Sequence, residues 1–165
     1  MLTRTLFSSV AMAFLVTMAH GAAAQDLRSQ LIGVWKLTSF VQKEMATGAT
    51  TNLRGEKPAG SAIFTAGGHF TWIIVDEGRK APTGPLNDAD RIMLFRTSAF
   101  GSGTYKVEGS SVPLYYHTSS NQAWTGTERS SEMKVTGKTL TWTSASYKNQ
   151  DGKGAAAIFT MERVE

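Results

Sequence analysis

Short segments of alternating apolar and polar residues, each ended by a glycine-containing turn, recur from Gly33 to the C-terminus. Successive side chains of a strand point to opposite faces, so this period-two pattern predicts an antiparallel sheet rather than helices. Residues 33–41 form the first expected strand. Residues 61–65 and 69–75 flank Ala66-Gly67-Gly68, a hairpin turn because glycine accepts positive φ. Residues 103–108 and 112–118 flank Gly109-Ser110-Ser111, residues 125–135 and 138–147 flank Thr136-Gly137, and residues 155–164 close the chain. Eight strands joined mostly to their sequence neighbours can close on themselves and so leave no exposed edge. The expectation is an all-β, eight-stranded, up-and-down antiparallel barrel, whose interior is either filled by side chains or holds one small ligand.

One segment departs from this pattern, between the third and fourth strands. Residues 76–85 contain Pro82, Gly84 and Pro85 and read as loop. Residues 86–100 open with the N-cap candidates Asn87 and Asp88 and put Ala89, Ile92, Met93, Phe95, Arg96 and Ala99 at spacings of one helical face. Such a helix either covers one end of the barrel or packs outside the sheet. The pair Asp88 and Asp90 suits a helix start, where the dipole favours negative charge.

The N-terminus reads as an export signal. Arg4 precedes an uncharged, mostly apolar run over residues 6–18, and Ala22-Ala23-Ala24 supplies small residues for cleavage before Gln25. The run is too short for the roughly 20 residues that cross a bilayer. The expected organisation is therefore a signal peptide over residues 1–24 and one domain over residues 25–165, periplasmic or secreted, with no membrane association after cleavage and monomeric. The chain has no cysteine, which excludes disulfides, thiolate metal sites and a cysteine nucleophile. The formal charge of +4 comes from basic residues scattered along the chain, without the clustered footprint that nucleic-acid binding needs.

The segment LIGVWKLTSF carries Gly33 and Trp35 in a Gly-x-Trp pattern, and the chain ends in FTMERVE with Arg163. Together with PAGSAIFTAGGHFTWII, FGSGTYKVEG and LYYHTSSNQAWTGTERSSEMKVTGKTLTWTS, these resemble the bacterial lipocalin-like domain family of the calycin superfamily. The resemblance implies a tryptophan, Trp35, closing the barrel floor with Arg163 lying across it. It also implies a histidine, His117, followed by Trp124, Gly126 and Arg129. Residues 76–90 match least, and the disulfide and long C-terminal helix of many animal lipocalins are missing.

His117, Glu128 and Arg129, with Tyr115, Tyr116 and Trp124, are the residues most suggestive of a site. On adjacent strands they would converge on one barrel mouth, where an imidazole beside a charged group serves as acid or base or binds a polar head. Alternation puts Tyr115 and His117 on one face and Leu114 and Tyr116 on the other, so His117 faces out if Leu114 faces in. The aromatic set Phe64, Phe70, Trp72, Tyr105, Tyr116, Trp142 and Phe159 is read as core or pocket lining. His69 begins its strand at a turn, and the apolar character of both faces of residues 69–75 suggests that both are covered. With His69 and His117 alone, and no HxH or HxxxH spacing, no metal site is expected. No Gly-x-Ser-x-Gly elbow, phosphate loop or dinucleotide fingerprint is present, and no cofactor is expected.

The expected function is binding of a small apolar or amphipathic molecule, with His117, Tyr116, Trp124, Glu128, Arg129 and Trp72 as candidate contacts. Two alternatives stand beside it: an isomerase, cyclase or hydratase using the same cavity with His117 as acid or base, and a filled barrel serving as a structural or interaction module. A cavity of ~300 Å³ or more separates the first two from the third.

Overall fold

The computed structural model describes residues 26–165; the expected signal peptide over residues 1–24 lies outside them. A short helix, α1 (26–31), leads into the first strand. The strands are β1 (Gly33–Glu44), β2 (Thr50–Asn52), β3 (Ala59–Phe64), β4 (His69–Val75), β5 (Ser98–Tyr105), β6 (Leu114–Ser119), β7 (Glu128–Arg129), β8 (Ser131–Thr136), β9 (Thr139–Ser144), β10 (Tyr147–Lys148) and β11 (Gly154–Arg163). Helix α2 (Asp88–Arg96) lies between β4 and β5, and a 3₁₀ turn (Gln122–Trp124) follows β6.

All pairings are antiparallel, in the order β7-β6-β5-β4-β3-β1-β11-β9-β8, with β2 beside β1 and β10 beside β11. β7 and β8 are two parts of one path on either side of Ser130. That path bonds back to the chain before β6: Val112 and Ser131 exchange backbone hydrogen bonds of 2.7 and 3.2 Å, and Met133 N donates to the Ser110 carbonyl at 3.0 Å. These bonds complete the ring. Counting β7 and β8 as one, and setting aside the accessory β2 and β10, the barrel has the eight staves that the alternation implies.

The inward residues follow strand parity: Trp35 and Leu37 on β1, Ala62 and Phe64 on β3, Phe70, Trp72 and Ile74 on β4, Leu114 and Tyr116 on β6, Leu140 and Trp142 on β9, and Phe159 and Met161 on β11 are all buried. A register shift between Leu37 and Ser39 turns Phe40 inward to face Phe159, with ring centroids 4.5 Å apart.

The two ends of the barrel are built differently. At one end the connections are α1 and the turns at 65–68, 106–113 and 137–138. Trp35, fully buried, plugs this floor, and its Nε1 donates to the Leu31 carbonyl at 2.8 Å. The Arg163 guanidinium lies 4.2 Å from the Trp35 ring centroid and donates to the carbonyls of Ile32, at 2.8 Å, and Gln30. Gly33 sits at φ +137°, where a Cβ would collide with the Glu165 carbonyl oxygen, so glycine is required there. The Gly33, Trp35 and Arg163 expectations hold together.

The other end carries the long connections, including residues 45–58, 76–97 and 145–153. Here the helix differs from its expected extent of 86–100. It is capped as expected by Asn87, whose side chain accepts from Asp90 N in a reciprocal capping box. It stops at Arg96, because residues 98–100 pair with β4 instead, Phe100 opposite Ile73 and Ser98 opposite Val75. None of its residues is buried, and Ile92, Met93 and Phe95 of the supposed apolar face are exposed. Likewise the outer face of β4 is not covered: His69, Thr71 and Ile73 are exposed.

Candidate functional site

A cavity of about 520 Å³ occupies the half of the barrel that opens toward the long connections. Its wall is aromatic. Trp142 and Phe159 stack with centroids 4.8 Å apart at 22°, and Trp72 meets both edge-on, at 6.3 and 6.1 Å. Phe40, Tyr116 and Trp124 extend the surface, and Arg54, Arg129, Asn121, Ser144 and Tyr147 add polar atoms.

The space exists because small residues stand where strand parity points inward. On β11 the inward series runs Ala155, Ala157, Phe159, Met161, and Ala157 lines the cavity. On β5 it includes Ala99 and Gly101. At Gly101 a Cβ would fall 2.6 Å from Tyr116 Cε1 and 3.0 Å from Trp72 Nε1, so the absence of a side chain lets both rings lie against the wall. Below this level Phe64, Phe70 and Tyr105 pack closely, with Tyr105 edge-on to Phe64 at 5.2 Å and its hydroxyl donating to the Thr65 carbonyl at 2.9 Å. The seven aromatics named from sequence thus divide: Phe64, Phe70 and Tyr105 fill the lower half, and Trp72, Tyr116, Trp142 and Phe159 line the cavity.

Four of the six candidate contacts are brought together here: Trp72, Tyr116, Trp124 and Arg129. The Tyr116 and Trp124 rings are 5.6 Å apart, and the Arg129 guanidinium lies 4.7 Å from the Trp124 ring centroid. The other two, His117 and Glu128, do not line this cavity, which corrects the expected convergence. Leu114 and Tyr116 face in, so alternation turns Tyr115 and His117 out into solvent, and Glu128 opposes Tyr115 on that outer surface. His117 instead meets the Tyr115 ring at 5.6 Å and borders a shallow outer hollow with His69, Thr71 and Ser102. Phe40, Ala99, Ala157 and Tyr147 were not among the sequence candidates. The alanines left a signal in Ala155-Ala156-Ala157, small residues at strand positions where a filled barrel needs bulk, whereas Phe40 depends on a bulge that alternation does not reveal.

Trp72 Nε1 and Trp142 Nε1 are buried without a hydrogen-bond partner among the described residues. The Trp72 indole N–H faces the Tyr116 phenol, but at a geometry short of a normal hydrogen bond. Burial pushes the Tyr116 hydroxyl up to about 12, opposed more weakly by Trp72 and by the positive charge of Arg129. Tyr116 is therefore a neutral donor at physiological pH. No histidine or carboxylate lines the cavity among the described residues. Nor do the described residues contain a cluster of three histidine, aspartate or glutamate side chains able to hold a metal.

Residues 32–164 match the family model described as a lipocalin-like domain. No curated protein matches the chain. A match over nearly the whole barrel, with the Gly33, Trp35 and Arg163 floor in place, assigns the protein: this chain belongs to the lipocalin-like domain family.

Proposed function

We propose that the protein binds a small, mainly apolar molecule in the mouth half of its barrel. The observation that carries this reading is the cavity of about 520 Å³ walled by Trp72, Trp142, Phe159 and Phe40. That volume lies within the ~300–1,000 Å³ usual for small-molecule pockets, and the mixture of apolar wall and a few polar atoms is their usual make-up. A barrel serving only as a structural module gains by filling such a space, since empty volume forfeits dispersion contacts. The acid–base alternative loses its residue, because His117 is on the outer face. We further propose that residues 1–24 direct export and that binding takes place in the periplasm or outside the cell. The support for this is the Arg4 start, the apolar run and the alanine cleavage site.

Titration with N-phenyl-1-naphthylamine, a neutral apolar fluorophore, tests the binding reading. The expected result is saturable 1:1 enhancement that is much weaker in Ala157→Phe, whose ring intrudes into the cavity beside Phe159. Equal enhancement in both proteins, or none in either, would overturn it. The intact mass of exported protein should correspond to a chain starting at Gln25; a mass retaining residues 1–24 would overturn the export reading.

A further inference from the structure

Three of the arginines at the two ends of the barrel, Arg163, Arg54 and Arg129, differ in what holds them. Arg163 at the floor donates to backbone carbonyls and stacks on Trp35. Arg54 at the mouth is bound to the Asp76 carboxylate, and its Nη1 also donates to the Arg96 carbonyl at 3.3 Å, so it fastens the end of α2. Arg129 has neither kind of partner. Its parity is that of Ser131 and Met133, which point inward and are buried, and it pairs across the sheet with inward Leu114. It lines the cavity half-buried, packed on the face of Trp124. Among the described residues its guanidinium donates no hydrogen bond and meets no carboxylate. The five N–H groups of this half-buried guanidinium have no protein acceptor among the described residues, and with Trp124 against its flat face the donor edge is left free.

Resting on the binding reading above, we propose that the ligand is an organic monoanion: an apolar, ring-sized body among Trp72, Trp142 and Phe159, and an oxyanion head of the carboxylate or sulfonate type on Arg129. The head would accept charge-assisted, bidentate hydrogen bonds from the guanidinium. The Tyr116 hydroxyl, on the same wall, supplies a further neutral donor. The lining contains two arginines and no carboxylate; Arg54 is compensated by Asp76, so the uncompensated charge at the cavity is the positive one of Arg129, which favours an anion over a cation. A single free guanidinium matches one negative charge.

The test uses two probes that share a ring system and differ by one anionic group, N-phenyl-1-naphthylamine and 1-anilinonaphthalene-8-sulfonate. In the native protein the sulfonate should bind more tightly than the neutral probe, and its Kd should rise with ionic strength while that of the neutral probe does not. Arg129→Met should weaken the sulfonate, relative to the neutral probe, by on the order of tenfold to a hundredfold. Arg129→Lys, which keeps the charge but not the fork, should restore part of the preference. Unchanged sulfonate affinity in Arg129→Met, or an equal loss for both probes, would overturn the anion assignment while leaving the cavity reading intact. Failure of both probes to bind the native protein would overturn both. If Arg129→Met does not fold, the salt dependence decides: a sulfonate Kd indifferent to ionic strength refutes the proposal.

Discussion

The floor and the mouth of this barrel are made from the same strands and solve opposite problems. At the floor, the polar atoms near Trp35 have partners: its indole N–H bonds Leu31, and Arg163 is taken up by the carbonyls around it. Its side chains are shut off from solvent, from Leu31 and Trp35 up through Phe64, Leu140 and Met161, all with 1% exposure or less. At the mouth, two indole N–H groups and the Arg129 guanidinium lack protein acceptors among the described residues, and alanines stand where bulk would fill the interior. Satisfied polar atoms and dense packing favour stability, whereas unsatisfied donors around a void are a cost that a bound molecule can offset. The comparison therefore assigns stability to one end and recognition to the other.

The largest effect should come from removing the plug. Trp35→Ala leaves a cavity where nothing can collapse and orphans the Leu31 contact, with an expected loss of ~3–5 kcal/mol in urea unfolding. A loss below ~1 kcal/mol, typical of surface substitutions, would break the assignment of stability to the floor.

An intermediate effect should appear at high pH. The folded protein keeps the Tyr116 phenol neutral until about 12, against an ordinary value of 10 in the unfolded chain. Stability from this group is thus fully present below pH 10 and is lost as pH rises from 10 toward 12, roughly 2–3 kcal/mol in all. Tyr105, whose hydroxyl is also raised by burial, contributes in the same direction from the floor side. Tyr147, at the mouth, is raised by burial as well, so Tyr116→Phe should reduce the alkaline decline in melting temperature without abolishing it; an unchanged decline would move the effect away from Tyr116.

The smallest effect is expected at His117. Exposed on the outer face, it should tolerate alanine with less than ~0.5 kcal/mol of destabilisation and with unchanged affinity for N-phenyl-1-naphthylamine. Weakened binding in His117→Ala would mean that recognition extends to the outer surface of β6.

How far these two ends are legible in the sequence differs for physical reasons. The floor is local and rigidly specified: Gly33 must accept a positive φ, Trp35 follows two residues later, and Arg163 lies opposite Trp35 in the β1–β11 register. These constraints leave fixed residue types in fixed places, and alternation supplies the eight staves. The mouth depends on facing, and a shift of one residue reverses every side chain of a strand. Proximity in sequence therefore groups His117 and Glu128, which lie on the outer face, with Tyr116, Trp124 and Arg129, which reach the cavity. Bulges add to the difficulty: the register shift after Leu37 brings Phe40 inside, and no periodicity announces it. The length of α2 is set by competition, since residues 98–100 have helical spacing but gain more from pairing with β4.

A crystal structure of the complex with N-phenyl-1-naphthylamine tests the central claim most directly, because it locates the probe and the void together. One probe molecule should lie within the mouth half of the barrel, its rings against Trp72, Trp142 and Phe159, with the packing around Trp35 undisturbed. A probe lodged in the outer hollow beside His69 and His117, over an interior closed by its own side chains, would contradict that claim.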